Sequence, residues 1–152
     1  MIYLTSDTHF GHTNILKYCN RPFKDVYLMN KTLTENWNSI ITPEDTVYHL
    51  GDFAFGGISK YLPELNGDIT MIRGNHDRDS DIKGSGIKYV QNMDFEYKGV
   101  KFKMNHRPVF LPGTEDPFND REQRSIIKLS DYDWILCGHV HEKWKIFHSS
   151  FL

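Results

Sequence analysis

The chain has 152 residues, 39% of them hydrophobic, and its 18 basic and 20 acidic side chains leave a formal charge of −2. That length suits one domain over residues 1–152 with a core that needs no staples, and the near-balanced charge excludes a general field for gathering nucleic acid or anionic membrane. Met1 to Leu4 is too short for a signal segment or a membrane span, and Cys19 and Cys137 read as two reduced thiols, so a cytoplasmic protein is expected.

Ile2 to Leu4 reads as the first strand. Beyond a turn at Asp7 to His12, Asn14 to Tyr18 reads as a short helix ended by Asn20-Arg21-Pro22, because a proline disfavours helix at the residue before it. Val26, Met29, Leu33, Trp37 and Ile40 or Ile41 recur at helical steps, which predicts a core-facing helix capped by Asp25 and stopped by Thr42-Pro43. Thr46 to Leu50 is a second strand, Ile58 to Leu65 a short helix, and Asn66-Gly67 the turn into a third strand at Ile69 to Ile72. Strands alternating with helices predict an α/β sheet with right-handed crossovers.

The second half reads differently. Tyr89 to Val90 and Phe95 to Tyr97 are short strand candidates, and Lys98-Gly99 turns the chain into Val100 to Met104 as a hairpin. Antiparallel pairing there suggests a second sheet packed on the first. Residues 106–120 form the longest expected loop and a candidate lid, followed by a helix near Arg121 to Leu129 and a strand at Trp134 to Cys137.

Seven potential metal ligands follow the strands in short clusters: Asp7 with His9, then Asp52, Asn75, His106, and His139 with His141. In an extended chain, residues two apart point to the same side, so Asp7 and His9 can grip one ion, and His139 and His141 repeat the pattern. Ligands so placed would gather beyond the carboxyl ends of the strands. Two divalent ions about 3.5–4 Å apart can clamp a phosphoryl group and supply a nucleophilic water, which needs a shared carboxylate, and Asp52 is the obvious bridge. Mixed imidazole and oxygen donors suit manganese, iron, zinc, cobalt or nickel better than magnesium. Ligand imidazoles must be neutral, so activity and occupancy should fall together below about pH 6.5. His76, between Asn75 and Asp77, points away from its neighbours and is the candidate for a catalytic group that either protonates the leaving oxygen or stabilises charge on the phosphoryl oxygens.

The blocks Asp7-Thr8-His9, Gly51-Asp52, Gly74-Asn75-His76-Asp77, His106 and Gly138-His139-Val140-His141 resemble, in order, those of the calcineurin-like metallophosphoesterases. The resemblance implies a four-layer α/β/β/α sandwich, one ion on Asp7, His9, Asp52 and His141, the other on Asp52, Asn75, His106 and His139, manganese as the leading metal, and His76 in the catalytic role. The Ser6 to His12 stretch and the compact size are similar to small phosphoesterases of bacteria and phages. One departure is Phe53-Ala54-Phe55-Gly56-Gly57 after Asp52, where protein phosphatases of the family carry Asp-Arg-Gly, which argues against a phosphoprotein substrate. The other is the short run, Glu142 to Leu152, after the last ligand: Lys143 to Phe147 supplies one strand, and a second closing strand is missing.

Arg78 and Arg107 follow the third and fourth blocks, and with His12 they are the candidates for holding substrate phosphate. His49 reads as a core residue or a support for the ligands, Asp77 as a residue that either orients a ligand or water or only fixes its loop, and His148 as surface. Phe10, Phe53, Phe55 and Phe110 lie in ligand-bearing loops, where rings either pack into the core or stack on a base. The expected function is hydrolysis of a small phosphodiester or phosphomonoester, nucleotides and cyclic nucleotides first, with no membrane partner and no long basic groove for nucleic acid. A nuclease acting on polymer ends is the alternative among enzymes, and a scaffold that has lost its chemistry is the alternative outside them.

Overall fold

The computed structural model describes residues 1–108 and 131–141. The first sheet is parallel throughout, in the order β1 (Ile2–Thr5), β2 (Thr46–His49), β3 (Asp68–Ile72), β4 (Lys88–Val90). Tyr89 to Val90 thus closes this sheet. It does not join the second, because only Gln91 separates β4 from β5 (Asn92–Tyr97) and the chain changes sheets there. β5 pairs antiparallel with β6 (Val100–Asn105) through Lys98-Gly99, and β6 pairs parallel with β7 (Trp134–Leu136). Both turn residues have positive φ, 52° at Lys98 and 80° at Gly99, the twist a two-residue hairpin needs.

Helices α1 (Ile15–Tyr18) and α2 (Val26–Ile40) fill the first crossover. The Asp25 side chain accepts a hydrogen bond from the Leu28 N–H at 2.8 Å, the cap the sequence calls for, and Ile41 rather than Ile40 turns inward. The helix expected over Ile58 to Leu65 is two successive 3₁₀ turns, Ile58–Lys60 and Leu62–Glu64. Pro63 explains the break, since it has no N–H to give and crowds the preceding turn. A one-turn helix, α3 (Asp79–Ile82), follows the third block and carries no helical period in the sequence.

Two apolar clusters hold the layers. Trp37, Ile41, Ile58 and Leu65 pack against Val47, Ile69 and Met71 on one face of the first sheet. Leu50 and Ile72 meet Met104, with Met93, Phe95 and Leu136 alongside, between the two sheets. Alternation along β2 and β3 sends successive side chains to these two sides. The described residues therefore form helices on a parallel sheet on a second sheet; the expected helix at 121–129, most of the 106–120 loop, the strand at 143–147, Phe110 and His148 lie outside them. Among the described residues, no helix is long and apolar enough to cross a membrane.

Candidate metal centre

All seven expected ligands lie just past strand carboxyl ends: Asp7 and His9 after β1, Asp52 after β2, Asn75 after β3, His106 after β6, His139 and His141 after β7. The loop bearing Asp7 and His9 runs alongside the loop bearing Asp52, with N–H groups of Asp7, His9 and Phe10 donating to the carbonyls of Gly51, Asp52 and Phe53 at 2.9–3.0 Å. Ligand atoms converge in two trios that could each hold a metal ion, Asp7–His9–His141 and Asp52–His106–His139. His139 and His141 therefore fall in different trios, contrary to the expectation from their spacing. The pleat is also the wrong mechanism for Asp7 and His9. β1 ends at Thr5, and φ is 52° at Asp7, 51° at His9, 56° at Asp52, 69° at His139 and 50° at His141, all left-handed. Five strained ligand positions re-aim these side chains, and such strain gathers where function over-determines the backbone.

Asp52 Oδ2 lies 3.4 Å from His106 Nε2 and 3.7 Å from His9 Nε2, so one oxygen faces an imidazole of each trio. His9 Nε2 and His141 Nε2 are 3.2 Å apart, and His141 Nε2 is 3.4 Å from Asp7 Oδ1. His106 Nδ1–H donates to the Leu50 carbonyl at 2.7 Å, which turns Nε2 toward Asn75 Oδ1 at 3.0 Å and Asp52. Lone pairs of nitrogen and oxygen thus converge on points that call for a cation, and the donor set fits a divalent metal. Burial opposes charge on His106, but the bond to Asp52 outweighs it and holds its pKa above the ordinary value. Burial pushes His9 and His139 down to about 4. The single threshold near pH 6.5 expected for the imidazoles therefore splits. Burial also opposes ionisation of Asp7 and Asp52, yet hydrogen bonds, from His141 and Ser6 to Asp7 and from His106 to Asp52, leave both carboxyls below the usual range.

The surroundings are built to hold this arrangement. Asp77 accepts from the N–H groups of Asp52, Phe53 and Gly74 at 2.7–2.9 Å. His49 is fully buried: Gly51 N–H donates to its Nδ1 at 3.2 Å, and the Thr8 hydroxyl, which donates to the Phe53 carbonyl at 2.8 Å, lies 3.0 Å from its Nε2. That network assigns the neutral tautomer with the proton on Nε2. Gly138 has room for no side chain, since a Cβ there would sit 2.5 Å from Asp7 Oδ2.

His76 is exposed, its ring centroid 5.8 Å from that of His9, and its backbone N–H donates to Asp52 Oδ1 at 2.9 Å. His12 approaches His9, Nδ1 to Nδ1 at 3.4 Å. Arg107 is half-buried, and its charge helps depress His139; Arg78 is exposed at the start of α3. Phe10 and Phe53 are core residues at 0% exposure, whereas Phe55 is half-buried beside the histidines.

Three residues escape the sequence reading. Arg21 donates to the carbonyls of Asp7 at 2.6 Å and Thr8 at 2.8 Å, Ser6 donates to Asp7 Oδ2 at 2.5 Å, and Cys19 Sγ lies 2.9 Å from His141 Nδ1. All three, with Asp7, Gly138 and His141, line a cavity of about 560 Å³. No residue type in Ser6, Cys19 or Arg21 announces such a role, because each acts through a contact made only in the folded chain.

The chain belongs to the calcineurin-like phosphoesterase superfamily, whose domain matches residues 1–149. Members of that superfamily are generally hydrolases and typically bind divalent metals. Among individual proteins, it is 41% identical over 145 residues to the uncharacterized protein MJ1445 of Methanocaldococcus jannaschii, covering 92% of this chain and 69% of that one. The Gene 66 protein of Mycobacterium phage L5 is 33% identical over 81 residues, 49% of this chain and 39% of the phage protein. Among solved structures, the protein of unknown function AQ665 from Aquifex aeolicus superposes with a TM-score of 0.72 at 32% identity, covering 95% of this chain and 80% of that one.

Proposed function

We propose that the protein hydrolyses a small phosphodiester or phosphomonoester at a pair of divalent ions, manganese first among them, with a nucleotide as the leading substrate. Asp7, His9, Asp52 and His141 would hold one ion, and Asp52, Asn75, His106 and His139 the other. The observation that carries this reading is the Asp52 oxygen facing both trios at 3.4 and 3.7 Å, the placement a shared carboxylate needs. Bound there, the ions would supply an acidified water and charge neutralisation for an in-line attack on phosphorus.

The chain's own groups do the rest. Asp77 and His49 fix the loop on which Asp52 sits, so the bridge is aimed before substrate arrives. His76, tied to Asp52 through its backbone but with its ring exposed, gives the proton that the leaving oxygen needs. His12 and Arg107 flank the trios on the substrate side and take phosphate oxygens; Arg78 contributes from the rim. The four-layer arrangement of the family, with a helical layer over the second sheet, is part of the same reading.

The test uses protein loaded with manganese and presented with bis-4-nitrophenyl phosphate, 4-nitrophenyl phosphate, cyclic nucleotides and single-stranded DNA. Hydrolysis of the small esters is expected, with turnover lost in Asp52→Asn. His76→Ala is expected to keep both ions and lose turnover. Preference for DNA ends would turn the reading to a nuclease, and an inert wild type that binds metal would turn it to a scaffold.

A further inference from the structure

One side of the metal centre is furnished with rings. Phe55 follows the core residue Phe53 by two positions along the same loop, yet it belongs to neither apolar cluster. Its ring neighbours among the described residues are histidines of the site: His12 at 3.8 Å between centroids and 14° between planes, His76 at 5.5 Å, and His9 at 6.0 Å. Tyr18, 71% exposed at the end of α1, meets His12 edge-on at 6.1 Å. A phenylalanine packed for stability alone would bury its faces in the core, as Phe10 and Phe53 do at 0% exposure.

The backbone holds Phe55 in this place. Its N–H donates to the Phe10 carbonyl at 2.7 Å, and its carbonyl crowds Gly11, where a Cβ would lie 2.7 Å away. Gly56 and Gly57, at φ 76° and 112°, follow it in the left-handed region that glycine alone adopts freely, and carry no side chain.

We propose that Phe55 and Tyr18, each in contact with the His12 ring, form a stacking platform for a nucleobase esterified to the phosphate. The proposal rests on the phosphoesterase reading above and names the group that the enzyme selects. Stacking on aromatic faces is sequence-tolerant, because every base offers a flat π-surface, and it discriminates strongly against esters that have none. Phosphate itself would be held at the cation centre, which is within one nucleotide's reach of the His12 and Phe55 rings, 5.3 Å and 6.0 Å from the His9 ring between centroids.

Two esters with the same leaving group separate the platform from the chemistry: the 4-nitrophenyl ester of thymidine 5′-phosphate and methyl 4-nitrophenyl phosphate. With manganese-loaded protein, kcat/KM for the thymidine ester is expected to exceed that for the methyl ester by roughly 5- to 150-fold. Phe55→Leu and Tyr18→Ala should each pull that ratio toward one; Tyr18 is exposed enough that its removal leaves the fold intact. Independently of turnover, adenosine titrated into metal-free protein should shift the NMR signals of the His12 and Tyr18 rings. An equal preference for the two esters, a ratio unmoved by both variants, or no shift with adenosine would each overturn the platform. Failure to hydrolyse these two diesters and 4-nitrophenyl phosphate alike would instead overturn the phosphoesterase reading, and the adenosine titration would still judge the platform.

Discussion

Gly138→Ala adds one methyl group at a point where the metal centre has no slack. Gly138 does not have a positive φ, so the substitution strains no dihedral and acts through space alone. The new Cβ would stand 2.5 Å from Asp7 Oδ2, 2.9 Å from Ser6 Cβ and 3.0 Å from Ser6 Oγ. Ordinary contact begins near 3.4 Å, so the Asp7 carboxylate has to retreat by about 0.9 Å or β7 has to lift. Lifting is resisted by Gly138 N–H donating to the His106 carbonyl at 3.0 Å and His139 N–H donating to Asp7. The carboxylate is therefore expected to yield, at a cost of about 1–3 kcal/mol in stability. Displacing one ligand of a trio should weaken its ion by roughly 10–100-fold, as losses of orienting contacts around metal ligands do, while the Asp52–His106–His139 trio is left in place. Calorimetric titration with manganese should then resolve one weak and one unaltered site in a protein whose circular dichroism matches wild type. Two sites of wild-type affinity would refute the reasoning that Asp7 is a ligand packed against Gly138.

Other perturbations probe the supports. His49 is fully buried and pushed down to about 3 by its burial, against about 6.5 unfolded, so its contribution to stability is present above pH 6.5 and lost as pH falls toward 3. By pH 5 this amounts to about 2 kcal/mol in the metal-free protein, and His49→Gln should shrink the difference between urea midpoints at pH 7 and pH 5. Cys19→Ala removes the 2.9 Å contact to His141 Nδ1; manganese affinity at one site is expected to drop about 10-fold or more, with Cys19→Ser recovering part of it. Arg21→Met takes two charged hydrogen bonds from the strained Asp7–Thr8 backbone, for a loss of roughly 1.5–3 kcal/mol per bond, read as a lower melting temperature and faster amide exchange at His9.

The long periodic elements were legible in the sequence because their signals are local. Asp25 caps α2, Thr42-Pro43 ends it, and Lys98-Gly99 makes the hairpin, each through the chemistry of one or two residues. The split of Ile58 to Leu65 is also written there, in Pro63, against an apolar spacing that favours one helix. The order of the seven ligands gives the site's membership, whereas their grouping depends on how the two sheets dock. Spacing placed His139 and His141 on one ion; the left-handed turns at both residues send them to different trios. Arg21 and Cys19 stayed hidden for a related reason. Arg21 folds back over 14 residues onto the Asp7 carbonyl and Cys19 reaches His141 across 122, and no period or motif encodes either contact.

Each trio recruits from both layers: Asp7 and His9 come from the first sheet with His141 from the second, and Asp52 from the first with His106 and His139 from the second. A cation seated in either trio is thus a clasp between the halves of the molecule, and neither half alone can present a full set of donors. A nascent chain gathers no such centre until residue 139 or 141 has left the ribosome and the second sheet has closed on the first, so loading with metal would report that the two sheets have docked.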